Sequence, residues 1–559
     1  MNYDLVIRNG TVVDGSGLGG YRADVGVVGD RIATIGRIRD RGNVEIDAEG
    51  QAVTPGFIDL HTHFDAQVFW DPLGANSCWQ GVTTALMGNC GFTLAPSAAE
   101  HKALVVRNLE RAEDISGKAM AAGIDWTWTT FAQYLEAVDR LPKGINYAAN
   151  LGHSALRTYV MGERAFTEQA TDDDLAAMAS ELADGIRAGA FGFSTSRTQH
   201  HMTSDDRPVA SRLAAWSEVV ALIGVMGELG AGIFQWVEDP PEPDSAAARR
   251  AEIVDVAVRT GVPIFSPATN NAPRALTLID ECIAAGGRMT GLAHCRGIGT
   301  MSSLRTQLPF DKLDAWKPFR SLPIDDQLRV LHNQPDIVAD LVAAALRGPY
   351  RQTFGGEARP PEFDRMRVLD TPTPPNPTVA EEAVRRGVDP VTAIIELSKE
   401  TDGRQFFVQT SVPFDYDDVG TILRHPHTVM AFSDSGAHVS QMSDSSIQTH
   451  LLAHWVRQRG EFSFADGIRM LTLAPARAAG FHDRGMVREG LIADLNVIDP
   501  DTVGPAMPTV VHDLPAGEKR IEQRATGIAA TVVAGQLAVR NGQHTGALAG
   551  RLLRNHLAR

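Results

Sequence analysis

Eight short apolar runs recur through the middle of the chain, several of them separated by stretches of helical periodicity. They are Phe57 to Leu60, Val82 to Met87, Ile145 to Leu151, Ala190 to Ser194, Gly232 to Trp236, Val262 to Ser266, Met289 to His294 and Thr428 to Asp434. Near-continuous apolar runs bounded by turn residues suit strands buried on both faces, as parallel sheets require. Helical patterns such as Asp173 to Ala188 and Ala210 to Leu229 lie between them. Eight strands in βα repeats are the number that closes a TIM barrel, so the expected fold class is α/β with a (β/α)8 barrel. Active sites of that fold sit at the C-terminal ends of the strands, and here polar residues collect where each run stops.

The flanks have a different texture. Asp4 to Arg8, Thr11 to Val13, Asp24 to Val28 and Arg31 to Ile35 read as short strands, with Asn9-Gly10 as a hairpin turn. Ala493 to Asp499 and Ala530 to Gly535 repeat the pattern at the other end. At 559 residues the chain exceeds one ordinary core, so a satellite domain is expected beside the barrel. Both ends are expected to join in one small β-sandwich, residues 1–54 plus 485–559, next to a catalytic barrel of 55–484. An insertion rich in Arg and Pro, at about 300–400, carries Thr371 to Pro377. It reads equally as a lid over the site or as a passive surface elaboration.

A formal net charge of −16 argues against nucleic acid or an anionic membrane as a partner. No apolar run is long enough to span a bilayer, and four cysteines do not make a disulfide framework in a chain this long. The start, Met1-Asn2-Tyr3-Asp4, lacks the basic and apolar regions of a signal peptide, so a cytoplasmic protein is expected.

The chemistry gathers where the strands end. After Phe57 to Leu60 come His61-Thr62-His63-Phe64-Asp65. Side chains two apart on an extended segment leave the same face, so His61 and His63 point toward one centre, as two ligands of one metal must. The alternative is a pair of hydrogen-bonded histidines. Asp434, in Ser433-Asp434-Ser435-Gly436, closes the eighth run. It can reach the same metal and take a proton from water there, or it can cap a following helix. Cys90, in Gly88-Asn89-Cys90-Gly91, is either a thiolate ligand or an inert buried side chain.

These stretches, together with Gly152-His153-Ser154-Ala155-Leu156-Arg157, Gly189 to Thr195 and Arg484 to Leu495, appear in an order that resembles the amidohydrolase superfamily. Within it, the chain looks like the D-aminoacylase (N-acyl-D-amino-acid deacylase) family over essentially its whole length. The resemblance implies a TIM barrel with a β-sandwich from both termini and zinc-dependent amide hydrolysis. It maps the metal histidines onto His61 and His63, the metal cysteine onto Cys90 and the metal-bound catalytic aspartate onto Asp434. The family also places a metal histidine at the ends of the fifth and sixth strands. Here those ends read Phe234-Gln235-Trp236-Val237-Glu238 and Phe265-Ser266-Pro267-Ala268-Thr269-Asn270, without histidine. The fourth strand ends in Phe193-Ser194-Thr195-Ser196-Arg197, which excludes a carbamylated-lysine bridge there.

One divalent ion, zinc by preference, is therefore expected on His61, His63 and Asp434 with Cys90 as fourth ligand, and His294 as an alternative. His153, Arg157, Arg197, Gln235 and His294 are substrate-binding candidates, each also readable as structural. An arginine, Arg197 or Arg157, would bind a substrate carboxylate in bidentate fashion. His200 and His201 sit on a loop over the site, and His438 is a candidate for supporting a ligand. The expected reaction is hydrolysis of an N-acyl D-amino acid or related small amide by activated water, with Asp434 as base and then acid. A cyclic amide, imide, ester or lactone is the alternative substrate class, and a non-catalytic binding protein the second alternative. The expected partner is a small molecule, with a homo-oligomer as the prior for a barrel of this size.

Overall fold

The computed structural model describes residues 2–350, 359–411, 414–441 and 444–558. At its centre stands a sheet of eight parallel strands, one for each apolar run. They are β1 (Phe57–Asp59), β2 (Val82–Met87), β3 (Asn146–Gly152), β4 (Gly192–Ser196), β5 (Ile233–Val237), β6 (Ile264–Ala268), β7 (Met289–Ala293) and β8 (Thr428–Met430). Each pairs in parallel with the next. The barrel is nearly closed, because the segments that follow β1 and β8 zip together. The amide of Leu60 donates to the Ala431 carbonyl at 3.1 Å, that of Asp434 to His61 at 3.1 Å, and that of His63 to Ser435 at 2.7 Å.

Alternation along the strands sends side chains to opposite faces. Leu86, Ala148, Ile233, Phe265, Leu292 and Val429 form one buried cluster that fills the barrel. Ala85, Met87, Ala149, Leu151, Phe234 and Trp236 belong to a larger cluster shared with the surrounding helices. Burial on both faces is the reason the runs read as continuously apolar. The helix Asp172–Arg187 starts at a capping box between Thr171 and Asp174 and carries three aspartates in its first turn, where the helix dipole favours them. The pattern from Ala210 to Leu229 divides into a 3-10 turn, Ala210–Leu213, and a helix, Trp216–Leu229.

Both ends of the chain contribute to one seven-stranded sheet. Its order is Gln543–His544, Gln536–Arg540, Ile528–Val533, Leu495–Ile498, Ala52–Pro55, Thr11–Val12 and Tyr21–Arg22. A four-stranded sheet, Arg31–Gly36, Asp24–Val28, Tyr3–Arg8 and Gly42–Asp47, comes from the N-terminal segment alone. Leu5, Ile7 and Val25 of the second sheet share a hydrophobic cluster with Val53, Leu495, Val497 and Val532 of the first. Asn9-Gly10 is not a hairpin turn. Tyr3–Arg8 pairs with Asp24–Val28 and Gly42–Asp47, whereas Thr11–Val12 pairs within the other sheet. Asn9, at φ +60°, steps the chain between sheets, and its amide donates to Asp24 Oδ1 at 3.0 Å. An Asn-Gly pair supplies left-handed backbone, which this crossover uses as a hairpin would.

The insertion after β7 has its own core, with Leu308, Phe310, Trp316, Leu341 and Ile394 buried together. Strands Gly299–Ser302, Phe407–Thr410 and Arg367–Val368 form an antiparallel sheet at its base. Among the described residues, no helix is long and apolar enough to cross a membrane.

Candidate metal centre

His61 and His63 follow β1 directly, and Asp434 lies four residues beyond β8. The seam between these segments brings the three together. Asp434 Oδ1 lies 3.2 Å from His61 Nε2 and 3.2 Å from His63 Nε2. Cys90, in the turn after β2, places Sγ 3.4 Å from His61 Nε2. The ligand atoms of His61, His63 and Cys90 all lie within 4.8 Å of one another. His61 is fully buried and stacks on Phe432, with ring centroids 3.9 Å apart.

The backbone is bent to achieve this. Cys90 and Asp434 both sit in the left-handed region, at φ +54° and +55°. Such backbone costs a non-glycine residue roughly 1–2 kcal/mol and persists only where the surroundings enforce it. At Gly88, φ +79°, a Cβ would stand 2.3 Å from the Asn150 carbonyl oxygen, so only glycine lets the turn pass β3. The Gly88 amide donates to Asp65 Oδ2 at 2.9 Å, and Asn89 Nδ2 donates to the carbonyls of Thr62 and Leu86. At Gly436, φ +94°, a Cβ would stand 2.6 Å from the His63 carbonyl oxygen. From β5, Gln235 Oε1 accepts the Cys90 amide hydrogen at 3.0 Å while its Nε2 lies 3.3 Å from His61 Nδ1.

These residues fit a zinc-type cation. Ligand atoms about 2.0–2.3 Å from a tetrahedral zinc lie roughly 3.3–3.6 Å from one another, and the separations of 3.2, 3.2 and 3.4 Å fall near that spacing. Electrostatics point the same way. Burial disfavours charge on His63, but the carboxylates of Glu113 and Asp434 outweigh it and push the ring up to about 9. Burial likewise drives the Cys90 thiol well above its ordinary value. The cluster therefore calls for a positive charge at its centre, which a cation on deprotonated ligands would meet.

The other sequence candidates fall in different places. Gln235 reaches the centre, as a support for His61 and Cys90. His438 Nε2 lies 3.7 Å from Glu113 Oε2, at φ +49° on the loop after β8. His153 and Arg157 form a buried network away from the cleft. His153 bonds Thr195 Oγ1 at 2.8 Å and Glu218 Oε1 at 2.7 Å, and the Arg157 guanidinium meets Glu218 Oε2 at 2.5 Å. Arg197 faces Glu238 at 3.5 Å and donates to the Ala214 carbonyl. His294 turns aside to Asp444, 3.5 Å away. His200 and His201 both line the cleft, His200 exposed beside Asp239 and His201 half-buried against Ser196.

Two further groups stand at the centre, one without a motif to announce it and one inside a motif but acting through the backbone. Glu113, in Arg111-Ala112-Glu113-Asp114, is buried with Oε2 3.7 Å from His63 Nε2. Asp65, although inside the histidine motif, acts through its hold on the Gly88 turn, and burial pushes its carboxyl up to about 7.

Asp434 and His438 open onto a cleft of about 1830 Å³. Its far wall is the insertion, through Lys312, Leu313, Arg347, Tyr350 and Arg359. The insertion therefore contributes to the lining of the same cleft as Asp434 and His438.

Comparison with known proteins bears on the fold and the family. The family model described as "Amidohydrolase family" matches residues 44–280 and 330–539. A D-aminoacylase of Alcaligenes xylosoxydans xylosoxydans is 28% identical over 99% of this chain and 97% of its own. An uncharacterised protein of Mycobacterium tuberculosis (strain ATCC 25618 / H37Rv) is 29% identical over 98% of this chain and 93% of its own. A solved structure from work on the functional role of the binuclear metal center in D-aminoacylase superposes with a TM-score of 0.64 at 26% identity, covering 99% of this chain and 100% of that one. The chain belongs to the amidohydrolase family and is a hydrolase of carbon–nitrogen bonds other than peptide bonds.

Proposed function

We propose that the chain is a metal-dependent deacylase that hydrolyses the amide bond of an N-acyl D-amino acid or a related small amide. The observation that carries this reading is the meeting of both imidazoles on one carboxylate oxygen, Asp434 Oδ1, at 3.2 Å each. His61, His63 and Asp434, with Cys90 beside them, would hold one divalent cation, zinc by the chemistry of the donor set. When bound, it supplies a Lewis acid that polarises an amide carbonyl and acidifies water.

Asp434 does the proton work. Burial raises its carboxyl, but the imidazoles of His61 and His63 prevail and hold it well below the usual carboxylate range. It therefore stands ready as a base at neutral pH, where it accepts a proton from the attacking water and later returns it to the departing nitrogen. Arg157 and Arg197 are engaged elsewhere, so the substrate carboxylate is assigned to the cations of the cleft wall, Lys312, Arg347 and Arg359. D-aminoacylase and N-acyl-D-glutamate deacylase among the relatives support this substrate class. We read the terminal sheets as one β-sandwich, residues 1–54 plus 485–559, set against a catalytic barrel of 55–484.

The test pairs wild type with Asp434→Asn on N-acyl D-amino acids, their L counterparts and cyclic amides. Deacylation of the D substrates should fall by about 100- to 10,000-fold in the variant, and chelation should abolish it until zinc is restored. Undiminished turnover in Asp434→Asn would remove the acid–base role. Turnover of cyclic amides alone would move the enzyme to the other substrate class.

A further inference from the structure

Three adjacent strands of the barrel present one layer of side chains to the turn that carries Cys90. Gly152 of β3 pairs with Ser194 of β4, and Ser194 pairs with Gln235 of β5. Register partners share a face of the sheet, so the three positions meet the same stretch of chain, Gly88 to Phe92. At Gly152 a Cβ would stand 2.7 Å from the Gly91 carbonyl oxygen, so glycine there lets the turn approach. Gln235 takes the Cys90 amide hydrogen at 3.0 Å. Ser194 grips the chain on both sides of Cys90. Its hydroxyl donates to the Gly88 carbonyl at 2.6 Å and accepts the Gly91 amide hydrogen at 2.9 Å.

Ser194 is fully buried, so water shares in neither bond. A hydroxyl donates and accepts through one atom, and here both capacities are spent on one turn. The turn needs such a hold. Cys90 keeps φ +54° and Gly91 φ +78°, and left-handed backbone is disfavoured for a residue with a Cβ. That backbone sets the direction in which the Cys90 side chain leaves, so Sγ stays 3.4 Å from His61 Nε2 only while the turn keeps its shape.

We propose that Ser194 is a positioning residue for the metal centre. By tying the Gly88 carbonyl and the Gly91 amide to β4, it fixes the Cys90 sulfur at the point where His61 and His63 converge. The next residue supplies the control. Thr195 is buried as deeply, but it points to the opposite face of the strand, and its hydroxyl meets His153 Nδ1 at 2.8 Å instead of the Cys90 turn. The proposal rests on the reading of Cys90 as a ligand beside His61, His63 and Asp434, and the experiment separates the two.

Full-length protein is stripped of metal and titrated with cobalt alone, reading affinity and the thiolate-to-cobalt charge-transfer band. Wild type should show the band, and Cys90→Ala should lose it. Ser194→Ala leaves a buried carbonyl and a buried amide unpaired. It should bind cobalt about 10- to 100-fold more weakly, with a band of lower intensity. If Ser194→Ala fails to fold, Ser194→Gly serves in its place. A water can then fill the hydroxyl's position without being anchored to β4, and the band should fall there too. Thr195→Val should lose stability yet keep wild-type affinity and band. A wild-type band and affinity in folded Ser194→Ala or Ser194→Gly would overturn the positioning role and leave the proposed function standing. An equal loss in Thr195→Val would do the same, because it would reduce Ser194 to general packing. Cobalt held by wild type without a thiolate band, and lost in H61A/H63A, would remove Cys90 from the centre and the role of Ser194 with it. No cobalt on wild type would overturn the metal centre itself.

Discussion

Gln235 offers the most discriminating perturbation of the centre. For His61 to present Nε2 to a cation, its proton must sit on Nδ1, and that proton needs an acceptor. The carboxamide of Gln235 has one oxygen, and the Cys90 amide already occupies it at 3.0 Å, while the Gln235 nitrogen stands 3.3 Å from His61 Nδ1. The oxygen is thus taken by Cys90, and a proton on His61 Nδ1 faces an amide nitrogen that cannot accept it. Gln235→Glu supplies an oxygen to each in nearly the same volume. Partners behind metal-bound imidazoles change affinity by about 10- to 100-fold, or roughly 1.4–2.7 kcal/mol. Zinc should therefore bind Gln235→Glu more tightly by that factor, measured by competition with a chromophoric chelator. Without metal, the new carboxylate is buried between His61 and the Cys90 amide, and a buried charge lacking its counter-ion is destabilising. The variant should melt below wild type when metal-free and gain more from zinc than wild type does. Folded Gln235→Glu with unchanged or weaker zinc affinity would refute the claim that His61 ligates through Nε2 with Gln235 behind it.

Glu218→Gln would leave the fully buried Arg157 without its carboxylate, at a cost of about 3–5 kcal/mol in chemical denaturation. Burial opposes ionisation of Glu218, but the hydrogen bond from His153 and the charge of Arg157 win and hold it at about 2, below its ordinary 4.5. Because the folded value is depressed, the stabilisation is full above the unfolded value and is lost as pH falls toward 2. The gap between wild type and Glu218→Gln should therefore be widest at neutral pH and narrow near about pH 3, and a gap that does not change with pH would exclude this linkage. Gly436→Ala places a Cβ 2.6 Å from the His63 carbonyl oxygen at φ +94°. It should lower stability by about 1–3 kcal/mol and weaken zinc binding, and zinc affinity equal to wild type would show that the loop does not set the histidines.

The barrel was legible because parallel strands buried on both faces leave continuous apolar runs. Their ends were less so. The last run reads on to Asp434, yet β8 stops at Met430, since Ala431 and Phe432 stay buried while the backbone turns toward a left-handed residue. His153 read as a group at the barrel mouth, but the helix His153–Met161 begins with no intervening loop. Its ring is thereby directed at Glu218, 65 positions along the chain. His61, His63, Cys90 and Asp434 could be picked out because their neighbours in sequence are informative. Glu113 could not, because its place at the centre depends on a loop meeting His438, 325 residues away, and nothing in a local charge run encodes that.

Two of the candidate ligands at the centre, Cys90 and Asp434, sit in left-handed backbone. Local preference would place glycine or asparagine there, and small or polar residues flank both: Asn89 and Gly91 about Cys90, and Ser433 and Ser435 about Asp434. At Cys90 and Asp434 the strain coincides with positions where a side chain is required. What sustains it is the seam that closes the barrel, because the His61 carbonyl accepts from Asp434 and the His63 amide donates to Ser435. Those bonds join β1 to the segment after β8 and set the ligands against one another in the same stroke. Barrel closure and ligand placement are thus one set of hydrogen bonds, so a cation held by His61, His63 and Asp434 would lock the seam, and opening the seam would release the cation.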